Sequence, residues 1–446
     1  MTQTTPHLRG PRSAGKGRWV LVSLGTVIGL VAWTVLFGLG TLDGWWRKPL
    51  APFGDTAAFA AAADEMIQRE SRGNVGLALI ENGQTHHEHF ASVGTPVDRD
   101  TLFQVASLSK WITALGVMTL VDAGRVDLDA PVDRYLRRWH LPPGEFDNRE
   151  VTVRRLLSHT AGLTDGLGYG GFAPDQPVQP LVESLTRASD ASPGAEGAVR
   201  VGLQPGAQWL YSGGGYALLQ LMIEDVTGET FETYMQRAVL VPLAMSSSTF
   251  ETPAPGTARV AEFYDPDGNP AIHYRFSAAG SSALYTSVAD LTRLIQAHRP
   301  GPDGAPTGRG VLRPSTLAEM HQPHGYQYGF EIWGLGVLLY APNNAEGFIV
   351  GHDGNNEPAI NTAARFDPAT GDGIVVLETG SPLLATRLAS EWVFWNTGHV
   401  DALTVAREAR QTLTVLFAGW AVIVVLGLIA GWRLRRRKRG LPDPAT

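Results

Sequence analysis

The sequence predicts an α+β fold with one apolar helix at each end. Three observations carry that reading. Strand-like segments gather near residues 76–93 and again over 327–377, with helical segments between them. That order belongs to an α+β domain, not to regular βαβ alternation. Two charge-free runs, 19–42 and 412–432, bracket everything else. Finally, residues 111–121 are apolar almost all round, the mark of a helix buried in a core.

The two ends read as membrane spans. Twenty-four residues in a helix reach about 36 Å and twenty-one about 31 Å, enough to cross a bilayer. Arg9, Arg12, Lys16 and Arg18 precede the first run, and Arg433, Arg435, Arg436, Arg437, Lys438 and Arg439 follow the second. Basic flanks stay cytoplasmic. The expected layout is a cytoplasmic tail (1–18), a transmembrane helix (19–42), an extracytoplasmic domain (55–398), a linker (399–411), a second transmembrane helix (412–432) and a cytoplasmic tail (433–446). No small-residue cleavage site stands after the first run, so an uncleaved anchor is expected. The whole chain carries a net charge of −7; removing those ten basic residues and Asp443 leaves −16 for the rest. So acidic a domain excludes nucleic acid as a partner. The basic tails suit anionic lipid instead. There is no cysteine, which excludes disulfides, thiolate metal sites and cysteine nucleophiles.

Between the spans the elements follow from local signals. Asp55 caps a helix expected through about Arg69. Residues 76–80 read as a strand, 81–84 as a hairpin turn, and 85–93 as the returning strand. That return carries His86, His87 and His89. No further ligand stands at a matching spacing, so they read as surface histidines and no metal site is expected. A short helix is expected over 151–163 with Gly162 as its stop; His159 on it reads as a structural residue holding a loop. Residues 164–206, rich in Gly, Pro, Asp and Ser, form a long loop of the functional or lid-like kind. A helix over 217–226 ends at Gly228, and Thr230 caps the next. A further helix covers 288–298. Strands are expected at 327–331, 334–340, 347–350, 359–366 and 373–377, and a helix over 383–395 closes the domain.

The chemistry sits at the start of the buried helix. Ser107-Leu108-Ser109-Lys110 is an S-x-x-K. Residues i and i+3 share a helix face, so Lys110 would lie beside the Ser107 hydroxyl. A serine needs an adjacent base to act as a nucleophile at neutral pH. A buried lysine, its pKa lowered by desolvation, can be that base. Four common residue types also match by chance, and Ser107 alone fits a helix cap.

Three more motifs stand in order behind it: residues 156–163 (Leu-Leu-Ser-His-Thr-Ala-Gly-Leu), 205–213 (Pro-Gly-Ala-Gln-Trp-Leu-Tyr-Ser-Gly) and 351–354 (Gly-His-Asp-Gly). Together with 103–110 they resemble the beta-lactamase-related serine hydrolases, a family similar to class C beta-lactamases and low-molecular-mass penicillin-binding proteins. The resemblance covers about 55–398. It implies a central antiparallel sheet flanked by helices plus an all-helical subdomain, with the active site between them and no cofactor. It makes Ser107 the nucleophile, Lys110 its partner and Tyr211 a proton-transfer group. His352, Asp353 and Gly354 take the place of the element on the strand edging the site. The backbone N–H groups of Ser107 and Asn355 become the oxyanion hole. Two positions depart from the pattern. Gly213 stands where an asparagine usually holds the substrate's acyl-amide, and His352 stands where a lysine usually meets a carboxylate. Both weigh against antibiotic hydrolysis while leaving acylation intact. The function expected is a membrane-anchored serine hydrolase acting through an acyl-enzyme on esters or D-amino-acid peptides and amides of the envelope. The alternatives are a non-catalytic module binding cell-wall peptide, or a true beta-lactamase. The substrate would be a small molecule or a cell-wall peptide, and the sequence sets no oligomeric state.

Overall fold

The computed structural model describes residues 14–438 apart from 167, 255, 257, 302, 303 and 358. Most of the two basic tails, with Arg9, Arg12 and Arg439, lies outside the described residues. The chain divides into two units, Pro49–Ala402 on the one hand and Met1–Lys48 with Leu403–Thr446 on the other.

The second of these holds two long helices, α1 (Ala14–Leu42) and α12 (Ala402–Lys438), both long and apolar enough to cross a membrane. They pack on one another: Trp33 Nε1 donates to the Leu416 carbonyl at 3.0 Å and Trp420 Nε1 to Thr34 Oγ1 at 2.9 Å. Most of the segment 399–411, expected as a linker, is helical. Helix α12 already begins at Ala402, because 402–411 lacks any glycine or proline to stop it.

The unit Pro49–Ala402 opens with helix α2 (Thr56–Glu70), capped by Asp55, whose carboxylate accepts from Ala58 N. Strands β1 (Val75–Glu81) and β2 (Gln84–Ala91) form the expected hairpin, with Asn82 and Gly83 both at positive φ, as a tight two-residue turn requires. After β3 (Phe103–Gln104) a single 3₁₀ turn, Ala106–Leu108, leads into α3 (Ser109–Asp122). The helices that follow are α4 (Val153–Leu157), α5 (Leu181–Arg187), α6 (Gly213–Thr227) and α7 (Phe231–Met235). Short pairs β4 (Phe263–Tyr264) with β5 (Pro270–Ala271), and β3 with β6 (Tyr285–Thr286), flank α8 (Ala279–Ser282). Then come α9 (Val288–Gln296), α10 (Pro314–Met320), β7 (Gly325–Gln327), β8 (Phe330–Trp333), β9 (Leu338–Pro342), β10 (Phe348–Asn356), β11 (Ile360–Phe366), β12 (Gly373–Thr379) and α11 (Leu384–Thr397).

Eight strands form one antiparallel sheet in the order β2-β1-β12-β11-β10-β9-β8-β7. Helices α2 and α11 cover one face; α9 and the helical part containing α3 to α8 cover the other. Helix α3 joins the two parts and is buried all round, with Trp111, Ile112 and Val117 fully inaccessible. Each large apolar side chain so buried contributes about 1.5–3 kcal/mol, which anchors the turn before it.

Several boundaries differ from expectation. The helix expected over 151–163 ends at Leu157, because His159 takes a left-handed φ of 57° and turns the chain there; Gly162 serves a later turn. Helix α6 starts at Gly213 rather than 217, so the three glycines form its first turn and not a loop. The strand expected over 327–331 is split: Tyr328 and Gly329, both at positive φ, form the turn between β7 and β8. Beside His87 and His89 the fold places a third group able to ligate a metal, which the sequence spacing does not show: Asp64 of α2, close to both rings.

Candidate active site

Ser107 sits on the 3₁₀ turn ahead of α3, and the residue before it, Ala106, has a φ of 47°. A non-glycine residue in that region is strained, and such strain persists only where the surroundings hold it. Here Ala106 is buried against Phe263 and Ile360, and Ser109 Oγ donates to its carbonyl at 2.6 Å. Leu284 N in turn donates to Ser109 Oγ at 3.0 Å. The second serine of the S-x-x-K therefore pins the turn that presents the first.

Lys110 is 1% exposed. Its Nζ lies 3.1 Å from Ser107 Oγ and donates to the Ser281 carbonyl at 3.0 Å. Burial lowers its pKa to about 7, against a smaller opposing pull from the Asp165 carboxylate. A lysine there is half neutral at pH 7, so it can accept the serine proton. Ser281 is a contact the motifs did not reveal, since a backbone carbonyl leaves no trace in residue type.

Tyr211 stands just before α6, where Ser212 caps the helix by accepting from Gly215 N at 2.8 Å. The nearby Ser107 side chain favours ionisation of the Tyr211 hydroxyl, but burial outweighs it and raises the pKa above the ordinary phenol value, so the tyrosine stays neutral. Lys110 Nζ lies 5.0 Å from the Tyr211 ring centre, a cation–π distance. His159 packs under that ring at 4.4 Å. Its Nδ1 accepts from Ser212 N at 3.1 Å, and its carbonyl accepts from Leu210 N at 2.8 Å. Burial and the nearby Lys110 charge hold it well below the usual imidazole range, hence neutral. This is the geometry of a structural histidine.

Asp165 was not singled out in the sequence, and it holds the tyrosine segment in place. It is 7% exposed. Its carboxylate accepts from Ser212 Oγ at 2.5 Å and from Gly214 N at 2.6 Å. A Cβ on Gly214 would come within 2.7 Å of that carboxylate, so the glycine makes its room. The sequence hint was present as an acidic residue in a Gly-rich loop, but no spacing rule tied it to Ser212.

Gly213 faces Tyr169 rather than empty space. A Cβ at Gly213 would lie 3.0 Å from Tyr169 Cε2 and 3.4 Å from Ser281 Oγ. Tyr169 comes from the long 164–206 segment and is itself buried. Asn356 Nδ2 donates to its carbonyl at 3.4 Å, linking that segment to the end of β10.

Strand alternation splits the His352-Asp353-Gly354 element. His352 faces the helical side and contacts Trp333 edge-on at 5.4 Å. Its Nδ1 donates to the Asp353 carbonyl at 2.6 Å, which leaves Nε2 as a bare acceptor, buried and without a partner among the described residues. Burial first, then the Lys110 charge, push it down to about 3. His352 is thus neutral and cannot act as a fixed positive charge. Asp353 points to the opposite face, where Arg365 binds it through two hydrogen bonds of 3.0 and 2.7 Å and Tyr340 and Thr386 donate to it. Gly354 is required by close approach: a Cβ there would lie 2.0 Å from the Val105 carbonyl, on the turn that carries Ser107. Strand β10 therefore runs against the Ser107 turn, so Asn355 follows directly on the point of contact. The Asn355 side chain points outward to donate to the Pro382 carbonyl at 2.6 Å. Trp333, which also donates to the Leu157 carbonyl at 3.1 Å, closes the aromatic wall beside Tyr211 and His352. A lone aromatic on a strand gave no earlier signal.

A serine beside a lysine held to about 7, a neutral tyrosine and strand β10 is an arrangement that can carry acyl transfer. The family model Beta-lactamase matches residues 59–391, and the chain belongs to that family of serine hydrolases. Among its relatives, Penicillin-binding protein 4 of Amycolatopsis lactamdurans is 28% identical over 322 residues, covering 68% of this chain and 80% of that protein. Esterase EstB of Burkholderia gladioli is 28% identical over 339 residues, 64% and 80% of the two chains. The D-alanyl-D-alanine-carboxypeptidase/endopeptidase AmpH of Escherichia coli K12 is 23% identical over 345 residues, 74% and 86%. The fold matches the octameric penicillin-binding protein homologue from Pyrococcus abyssi with a TM-score of 0.61 at 24% identity, over 76% and 77% of the chains.

Proposed function

We propose that this chain is a membrane-anchored, extracytoplasmic serine hydrolase that works through an acyl-enzyme on esters or on D-amino-acid peptides and amides of the cell envelope. The observation that carries the reading is the Ser107–Lys110 contact, with the lysine buried and held to about 7. Ser107 Oγ attacks the substrate carbonyl and its proton passes to Lys110. The backbone N–H groups of Ser107 and Asn355 receive the oxyanion, a stabilisation that in acyl transfer is usually the largest single one. Tyr211, neutral and beside Ser107, passes a proton on to the leaving group. Water then attacks the acyl-enzyme by the reverse route. Gly354 keeps β10 close enough to the Ser107 turn for this. The two long apolar helices support the anchor, with both termini cytoplasmic.

Substrate preference follows from Gly213 and His352. Tyr169 fills the place where a side-chain amide would project from Gly213. Leaving one substrate hydrogen bond unmade costs about 0.5–1.5 kcal/mol. His352 offers a lone pair, which repels a carboxylate rather than binding it. A small ester needs neither contact. The test uses the full chain in detergent. Ser107 should be labelled by a serine-reactive fluorophosphonate, and Ser107→Ala should not. kcat/KM for a short-chain aryl ester should exceed that for a chromogenic cephalosporin. A cephalosporin value within about 10⁴–10⁸ M⁻¹s⁻¹ and above the ester value would make the protein a true beta-lactamase. Absence of labelling in the native chain would leave a non-catalytic binding module.

A further inference from the structure

Helix α2 and the edge strand β2 bring three metal-ligating side chains to one point. His87 and His89 are two residues apart and so share a strand face. The ladder with β1 selects which face. Its register slips between Leu79 and Ile80, which leaves His86 as the extra residue of a bulge, and pairing resumes with His87 opposite Leu79 and His89 opposite Leu77. Helix α2 lies over that face. On it Asp64 stands one turn from Ala60 and Ile67, both buried, so the same packing that seats the helix turns the Asp64 carboxylate to the two rings.

The distances suit a cation. His87 Nε2 is 3.0 and 3.1 Å from the two Asp64 oxygens, and His89 Nδ1 is 3.3 Å from Oδ2. One ligand atom from each residue lies within 4.8 Å of the other two. A tetrahedral Zn²⁺ with bonds of about 2.0–2.1 Å spaces its ligands about 3.3 Å apart. The three groups therefore need to move little to enclose an ion. Their side chains are 19–28% exposed, which leaves an entry path and room for a water as fourth ligand. Two imidazoles and a carboxylate are a borderline donor set that favours Zn²⁺ and its transition-metal neighbours over Mg²⁺ or Ca²⁺. The neighbouring charges are engaged elsewhere: Glu88, on the opposite strand face, pairs with Arg99, and His86 with Glu81.

We propose that Asp64, His87 and His89 form a Zn²⁺-type site that clips helix α2 to the edge strand of the sheet. The site is structural. Three strands separate β2 from β10, so four spacings of about 4.8 Å place it roughly 19 Å from the strand carrying His352. A clip there protects an edge that would otherwise fray or pair with another chain.

The test uses the untagged full chain in detergent, stripped with a chelator and titrated with ZnCl₂ by calorimetry and with Co²⁺ by absorption. One equivalent of Zn²⁺ is expected to bind and to raise the melting temperature. Co²⁺ is expected to give the intense ligand-field bands of a tetrahedral site. Asp64→Ala, His87→Ala and His89→Ala should each weaken binding by more than the about 10–100-fold that losing an outer-shell partner costs. His86→Ala should bind like the native chain, and fluorophosphonate labelling should be unchanged in all four. Sub-stoichiometric binding, a water-like octahedral Co²⁺ spectrum in the native chain, or equal losses in His86→Ala and His89→Ala would each overturn the site. The Co²⁺ spectrum decides even where a variant fails to fold.

Discussion

Lys110 shows how one residue sets both activity and stability. Its folded pKa of about 7 lies below its ordinary value of 10.5, because burial disfavours the ammonium form. Below about pH 7 both folded and unfolded chains hold the proton, and the fold bears the full cost of a buried cation. Between about 7 and 10.5 the unfolded chain holds more protons than the folded one. Stability therefore rises with pH across that window. Catalysis has the same sign, since the neutral amine is the base: acylation should gain rate through an acid limb near pH 7, while His352, held to about 3, adds no limb in the neutral range. Lys110→Met keeps the volume and removes the charge. Its fluorophosphonate acylation should fall by about 10³–10⁶-fold, while its melting temperature at pH 6 should match or exceed that of the native chain. A clear drop in melting temperature would show that Lys110 stabilises the fold and is not a destabilised base.

At the scale of elements, the site is a matter of what holds three segments against each other. Asp165 secures the tyrosine segment by satisfying Gly214 N and Ser212 Oγ at the start of α6. Helix N-termini carry orphan donors, and losing their partner costs about 0.5–2 kcal/mol. Asp165→Ala should lower stability by about that much, read from chemical denaturation. It should also reduce kcat for an aryl ester by about tenfold or more, because Tyr211 directly precedes Ser212, which Asp165 anchors. Asp165→Asn, which keeps an acceptor, should recover most of both. Unchanged kcat in Asp165→Ala would mean that Tyr211 is positioned by His159 and Trp333 alone. This element also shows where sequence reading stops. Ser107 and Lys110 were legible because helical spacing alone puts i and i+3 together. The hairpin at Asn82-Gly83 was legible because it needs positive φ. Asp165, Tyr169 and Ser281 were not, since each reaches the site from a loop or through a backbone carbonyl. Asp64 was missed for the same reason: it lies 23 residues before His87, and only the packing of α2 on β2 joins them. Helix ends were missed where a non-glycine residue, His159, took the left-handed turn.

The molecule as a whole pairs an acidic enzyme domain with cationic ends. Sorting charge this way has a physical consequence at a membrane. Lys and Arg near a span resist translocation, and a charge-free helix partitions into the hydrocarbon. Helices α1 and α12 are almost wholly unburied over their apolar stretches, so water would meet a long surface of Val, Leu and Trp if no lipid covered them. Packing of Trp33 and Trp420 across the pair covers only one stripe of each helix. On the proposed layout the basic flanks of both helices put both termini on the cytoplasmic side and the segment between them outside. Helix α11 ends at Gly398, whose φ of 79° stops it, and α12 begins four residues later at Ala402. A reporter joined at Ala402 thus leaves the unit Pro49–Ala402 entire, with its Arg365–Asp401 pair, and removes the second helix. Alkaline phosphatase, which folds only outside the cytoplasm, should be active there. The same enzyme joined after residue 438 should be inactive, because α12 returns the chain across the bilayer. Activity at both points would mean that α12 does not span. Activity at neither, with a cytoplasmic reporter active at Ala402, would put the domain inside and remove the envelope from the list of substrates.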